Sequence, residues 1–187
     1  NDYRWSAGIS ILCSMANTGG ATMGEIDQVG RKLLKKVGDD NLWFREWTEM
    51  GDHLRDLGMA AERKKNNLSA ADFHKRACMY YQLGERFRTP KDKKANAVYR
   101  KSLDCFARFM RLTDRARIEK VELPFEKGKK LPAYLVHAQN TKKAKPPVVV
   151  FFDGFDVSKE IQYVMAAEDL IRRGMSVLLV DAPGNGA

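Results

Sequence analysis

Long apolar runs are absent from the 187 residues, and so are the spacings that hold metals and disulfides. No stretch approaches the roughly 18 consecutive apolar residues of a membrane-spanning helix. Ile9-Ser10-Ile11-Leu12-Cys13 is too short and too poorly flanked for a signal peptide, and without a Met at position 1 the N-terminus reads as trimmed. Cysteine is scarce: Cys13, Cys78 and Cys105 lie far apart, each inside an apolar helical pattern. An odd count without a spacing motif points to buried thiols in a reducing compartment, so a cytoplasmic protein is expected. His53, His74 and His137 show no ligand spacing with those cysteines, which argues against a zinc site, and no cofactor is expected. His53 and His74 have no serine motif near them, so neither reads as a catalytic base, and His137 reads as structural.

Charge is abundant but uneven. The net charge of +9 divides into −2 over residues 1–60, +14 over 61–145 and −3 over 146–187. A basic middle raises nucleic acid as a partner. The lysines cluster in short turns, however, such as Lys127-Gly128-Lys129-Lys130 and Lys142-Lys143-Ala144-Lys145. Solvated loops explain them, and no nucleic-acid recognition signature accompanies them.

The first 115 residues are helical in pattern. Trp5, Ile9, Leu12 and Cys13 recur at helical spacing, and Thr22 with Glu25 makes a capping box for a helix that runs to Gly38. A long helix after Asp39-Asp40 carries Leu42, Trp43, Trp47, Met50, Leu54, Leu57 and Ala61 as its apolar stripe. Ser69 with Asp72 reads as the start of the next, and Thr89-Pro90 as the start of the last. The three later helices resemble tetratricopeptide hairpins, but no 34-residue repeat survives. From Arg117 the period switches to two. Ile118 to Phe125 and Leu131 to Ala138 read as a hairpin turning at Gly128. Val148 to Phe152 and Ser176 to Asp181 then read as two strands joined by a helix that ends at Gly174, a βαβ unit. The expected architecture is α/β: a helical cap-like domain over 1–115, followed over 116–187 by a hairpin and the start of a parallel sheet.

Parallel sheets bind ligands at the carboxyl ends of their strands, and two glycine loops sit there. Asp181-Ala182-Pro183-Gly184-Asn185-Gly186 has two glycines of a dinucleotide fingerprint but lacks the third and follows the wrong strand. Asp153-Gly154-Phe155-Asp156 reads either as a plain turn with Ser158 as helix cap, or as a place where the Gly154 and Phe155 amides meet a developing oxyanion.

The order hairpin, strand, Asp-Gly-Phe-Asp-Val-Ser-Lys-Glu, helix, strand, Asp-Ala-Pro-Gly-Asn-Gly resembles the opening half of an α/β-hydrolase. More narrowly it is similar to the group of 2,6-dihydropseudooxynicotine hydrolase, the fungal polyketide-shortening hydrolases and the fermentation-respiration switch protein. The helical stretches Ser69 to Tyr81 and Tyr99 to Leu103 share in the likeness. The resemblance implies a serine hydrolase without cofactor or metal, cleaving an ester or a ketone C–C bond through an acyl-enzyme. It implies Phe155 as an oxyanion-hole donor with Gly154 shaping the turn, and Asp156, Lys159 and Glu160 as support for that loop. The nucleophile elbow, acid and histidine would follow beyond Ala187, so the remaining half of the core is an expected partner and the fragment alone would be inactive. The last strand would then present a raw edge. Trp43, Trp47, Tyr80 and Tyr81 are the candidates to line a pocket for a small substrate of aromatic or polyketide-like kind, beneath a helical cap. A second copy of the chain is a candidate partner; a membrane is not. The competing reading is a noncatalytic helical scaffold or oligomerisation module.

Overall fold

In the computed structural model, which describes residues 2–152, 154, 157–184 and 186, short polar side chains start most helices of the first half. The chain divides into two compact units, Asn1–Thr113 and Asp114–Ala187. In the first, helix α1 (Tyr3–Ala16) is capped by Asp2, α2 (Met23–Leu33) by Thr22 and α3 (Asp40–Arg63) by Asp39. Each accepts backbone N–H groups that would otherwise lack a partner in the first turn. Helix α4 (Asn67–Glu85) has no side-chain cap, and it begins two residues before Ser69, which lies inside its first turn. Packing secures it instead, since most of its length from Ala70 to Gly84 is buried. Helix α5 (Lys93–Leu112) starts after Pro90, because the Asp92 side chain takes the Ala95 N–H at 2.8 Å and so sets the first turn there.

The expected capping box at α2 closes through a third residue. Glu25 N–H donates to Thr22 Oγ1, but the Glu25 carboxylate does not return to the Thr22 backbone. Thr22 N–H donates to the Tyr80 hydroxyl at 3.1 Å, which in turn donates to Glu25 Oε2 at 2.7 Å. Burial and Glu25 together push the Tyr80 phenol well above its usual range. The relay ties the start of α2 to α4 across more than fifty residues.

Helices α3 and α4 meet where glycine removes side-chain bulk. A Cβ at Gly51 would stand 2.6 Å from the Tyr81 ring, and one at Gly58 would stand 2.7 Å from the His74 ring. The two glycines are seven residues apart, two turns along one face of α3. The stripe they belong to is narrower than expected, since Leu57 is 37% exposed and Ala61 half-buried. Cys78 and Cys105 are buried and Cys13 half-buried, and burial pushes the Cys105 thiol up to about 12.

The second unit is a four-stranded sheet in the order β1-β2-β4-β3. Strands β1 (Ile118–Pro124) and β2 (Lys130–Val136) form the antiparallel hairpin, turning where Lys127 and Gly128 take positive φ. Strand β3 (Val148–Phe152) pairs in parallel with β4 (Ser176–Val180), and β4 pairs antiparallel with β2. The raw edge is therefore not at the last strand. β4 lies inside the sheet, and β1 and β3 are the outer strands among the described residues.

The crossover runs through α6 (Lys159–Gln162), a π-helical segment (Tyr163–Ala167) and α7 (Glu168–Arg172). Ile161, Val164, Ala167 and Ile171 are buried, as is Tyr163. Met165, which follows the buried Val164, is 51% exposed, because the wider π turn changes which positions face the sheet. Gly174 closes the crossover at φ +80, with its N–H donating to Ile171 O and that of Met175 to Leu170 O.

Replacing Gly51 by Ala should destabilise the helical unit by about 1–3 kcal/mol, the range for overpacking, because the tight Tyr81 ring must move. Gly30→Ala in α2, where an added Cβ meets nothing within 4 Å, should instead stabilise by about 0.4–1 kcal/mol. Urea denaturation of both variants checks the contrast, and a neutral Gly51→Ala would remove the close-approach account.

His74 adds a pH dependence of known sign. Its ring is fully buried, with Nε2 2.7 Å from Glu62 Oε1 and Nδ1 without a partner among the described residues. Burial lowers its pKa from the ordinary 6.5, more than Glu62 raises it. Burial raises Glu62, but Arg108 and His74 outweigh it and hold Glu62 below 4.5. The unfolded chain therefore binds the His74 proton first, and stability falls as pH drops below about 6.5. Glu62 extends the loss below about 4.5. In His74→Gln the loss between pH 6.5 and 4.5 should vanish, as read from unfolding midpoints across that range.

Candidate functional site

The carboxyl end of the sheet builds the site from two consecutive residues of one strand end. Phe152, the last residue of β3, is in register with Val180, the last of β4. The next residue, Asp181, accepts the Lys159 backbone N–H through Oδ1 at 2.8 Å and the Lys159 ammonium through Oδ2 at 2.5 Å. Lys159 is the first residue of α6. The described residues on either side of 153–158 are thus fixed to neighbouring positions: Phe152 pairs with Val180, and Lys159 is held by Asp181.

Two further groups complete the cluster. Glu160 Oε1 receives the Lys159 ammonium at 3.1 Å and the Tyr134 hydroxyl, from β2, at 2.9 Å. The same ammonium lies 5.1 Å from the centre of the Tyr134 ring, within cation–π range. Lys159 is 3% exposed, Glu160 0% and Asp181 1%. Such groups persist in an interior only when paired and hydrogen-bonded. Burial pulls the Lys159 ammonium down, but Glu160 and Asp181 outweigh it and hold it charged above its ordinary range. Burial pushes the Asp181 carboxyl up against the pull of Lys159, since one ammonium serves two carboxylates.

The second glycine loop folds back onto the same carboxylate. Gly186 has φ +69, and a Cβ there would collide with the Asp181 carboxylate. Close backbone approach to Asp181 accounts for this glycine better than a pyrophosphate site does.

The residues singled out in the sequence fare differently. Lys159 and Glu160 come together, enclosed behind the loop rather than exposed on it. Gly154 is exposed, while Phe155 and Asp156 lie outside the described residues. Ser158 does cap α6, but its Oγ is 3.5 Å from the Ile161 N–H, and Asp181 makes the closer approach to the helix start. Trp43, Trp47, Tyr80 and Tyr81 are each 0% exposed. They fill the interior of the helical unit: Trp43 meets Trp47 edge-on at 5.6 Å, Trp47 stacks on Tyr80 at 5.3 Å, and Trp43 Nε1 donates to Leu83 O. A fully enclosed side chain has no surface to give a substrate, so these four are core and not pocket lining. Tyr134 was missed as a site residue, and Asp181 was noticed only as part of a glycine motif.

The enclosed lysine cannot reach a substrate as an acid or base. What the cluster can do is fix the first residue of α6 to the end of β4 at the carboxyl edge of the sheet.

Comparison with known proteins agrees with this geometry. The family described as esterase FrsA-like matches residues 32–187. Hydrolase acrC of Aspergillus aculeatus is 30% identical over 95% of this chain and 44% of its own length. The 20-hydroxy-prefusarin hydrolase FUS2 of Gibberella moniliformis is 30% identical over 89% of this chain and 40% of its own. The chain therefore spans less than half the length of these relatives. The crystal structure of a 2,6-dihydroxy-pseudo-oxynicotine hydrolase superposes with a TM-score of 0.71 at 17% identity, covering 92% of this chain and 46% of that one. Helical region, hairpin and βαβ unit are thus the first part of an α/β-hydrolase fold, and the chain belongs to the FrsA-like esterase family.

Proposed function

We propose that this chain is the N-terminal part of a serine-dependent α/β-hydrolase that cleaves an ester or a ketone C–C bond through an acyl-enzyme. The observation that supports the reading is the pair of anchors flanking residues 153–158 at the carboxyl edge of the sheet: Phe152 in register with Val180, and Lys159 held by Asp181. In acyl transfer a serine attacks a carbonyl carbon, and the carbonyl oxygen gains negative charge that nearby N–H groups must meet. The Phe155 amide is the donor proposed here, with Gly154 shaping the turn and Asp156, Lys159 and Glu160 supporting it. The names of the relatives, all hydrolases, support the reaction class.

The nucleophile, acid and histidine are proposed to come from sequence beyond Ala187. Two features of β3 support this. Its outer edge carries no strand among the described residues, and Val148, Val150 and Phe152 are 51%, 47% and 70% exposed on one of its faces. A parallel sheet is ordinarily covered on both faces, and an uncovered apolar edge strand invites pairing. The remaining half of the core, adding a strand beside β3, would meet both requirements. The substrate proposed is a small carbonyl compound of aromatic or polyketide-like kind, as the resemblance to the fungal polyketide-shortening hydrolases implies.

A fluorophosphonate probe tests the reading. It should label one serine in the complete protein, within a Gly-x-Ser-x-Gly elbow after the strand that follows β4. The 187-residue chain alone should not label. A complete, folded protein that resists the probe, or whose sequence lacks the elbow, would return the reading to a noncatalytic module.

A further inference from the structure

We propose that Asp181 and Lys159 are positioning residues for the oxyanion-binding loop, setting the rate of the chemical step without touching substrate. The inference rests on the hydrolase reading above.

The loop has six residues and two anchors. The first is the backbone pairing of β3 with β4, which any parallel sheet supplies. The second belongs to this chain: one carboxylate takes both the backbone and the side-chain nitrogen of Lys159. Holding two atoms of one residue fixes its orientation as well as its distance, which a single bond would not. The ammonium is fixed in turn by Glu160, and Glu160 by Tyr134 on β2, the strand that flanks β4 on the side away from β3. The end of the loop is therefore referenced to three strands of the sheet.

Starting α6 does not require the Lys159 ammonium or Glu160, because Asp181 Oδ1 already takes the Lys159 N–H. Ser158 already occupies the N-cap position. Replacing a buried ion pair by apolar groups of similar volume is often neutral or stabilising, so retaining one buried ammonium with two carboxylates is not explained by stability. It is explained if the amides after β3 must stand within a fraction of an ångström of a given place, since a misplacement of about 1 Å costs on the order of a hundredfold in rate.

The experiment uses the complete protein, p-nitrophenyl butyrate as probe substrate, and fluorophosphonate titration to count active sites. Lys159→Met and Asp181→Asn should each lower kcat per titrated site by about 10- to 100-fold, with KM changed less than about twofold. Tyr134→Phe, which removes one hydroxyl and leaves the Lys159–Asp181 pair intact, should show a smaller fall in the same parameter and serves if either charged variant fails to fold. The double variant Lys159→Met with Asp181→Asn separates positioning from stability. It removes the Asp181 charge together with the ammonium and leaves Glu160 with the Tyr134 hydroxyl, so its melting temperature should recover in part relative to Lys159→Met while kcat per site stays low. Recovery of kcat together with melting temperature, or single variants with unchanged kcat per site, would overturn the proposal. A wild-type protein that neither titrates nor turns over the ester would instead overturn the hydrolase reading.

Discussion

One carboxylate, Asp181, holds both nitrogens of Lys159, and the shape of the sheet's carboxyl edge depends on that grip. Asp181 can do this because it follows β4 directly, and β4 is an interior strand paired on both sides. An interior strand has little freedom to shift, so the residue just past its end is a fixed reference point. From it the start of α6 is set, and from the start of α6 the end of the loop. The Gly186 backbone then comes close to the same carboxylate.

The helical unit follows the same logic with different means. Where α3 and α4 approach, glycine at 51 and 58 makes room for the rings of Tyr81 and His74. Each ring then carries a polar atom to another element: the Tyr81 hydroxyl donates to Asp52 at 2.6 Å, and His74 Nε2 lies beside Glu62. Lys101 from α5 joins Asp52, and Arg108 and Arg111 from α5 join Glu62. Close packing alone leaves helices able to slide. Buried polar atoms with a single suitable partner fix the register, because a slipped arrangement leaves them unpaired in an apolar interior.

Local features were legible in the sequence, and long-range ones were not. Asp39, Thr22 and Gly174 announce their helix ends because a cap acts on residues only three or four away. The change of period at Arg117 announces the hairpin for a similar reason. The end of α4 that begins at Asn67 was misplaced because packing, and not a cap, holds that helix. The π segment was invisible, since its apolar residues also fit an ordinary helix. Lys159 and Glu160 were singled out through family resemblance, but their partners lie 22 and 26 residues away in sequence, and neither Asp181 nor Tyr134 carries a local mark that pairs it with them. Tyr134 in particular reads as one more aromatic in a hairpin. The four aromatics assigned to a pocket show the converse, since helical spacing marks a buried face without saying whether ligand or protein covers it.

The unequal charge of the cluster bears on why it is built this way. Asp181 and Glu160 share the single ammonium of Lys159, and Tyr134 supplies the one neutral donor. Had stability been the only demand, a matched pair would leave no excess charge inside, and an apolar trio would avoid desolvation altogether. The second carboxylate has a geometric effect instead. With Asp181 alone, the ammonium of a four-carbon side chain could swing about one acceptor. With Glu160 opposite, itself fixed by Tyr134, it is held between two points that belong to different elements. The Lys159 backbone, from which the loop departs, is thereby constrained at both its nitrogen and its side-chain end. Charge is spent here on direction, which the proposed presentation of amides to a transient oxyanion would require.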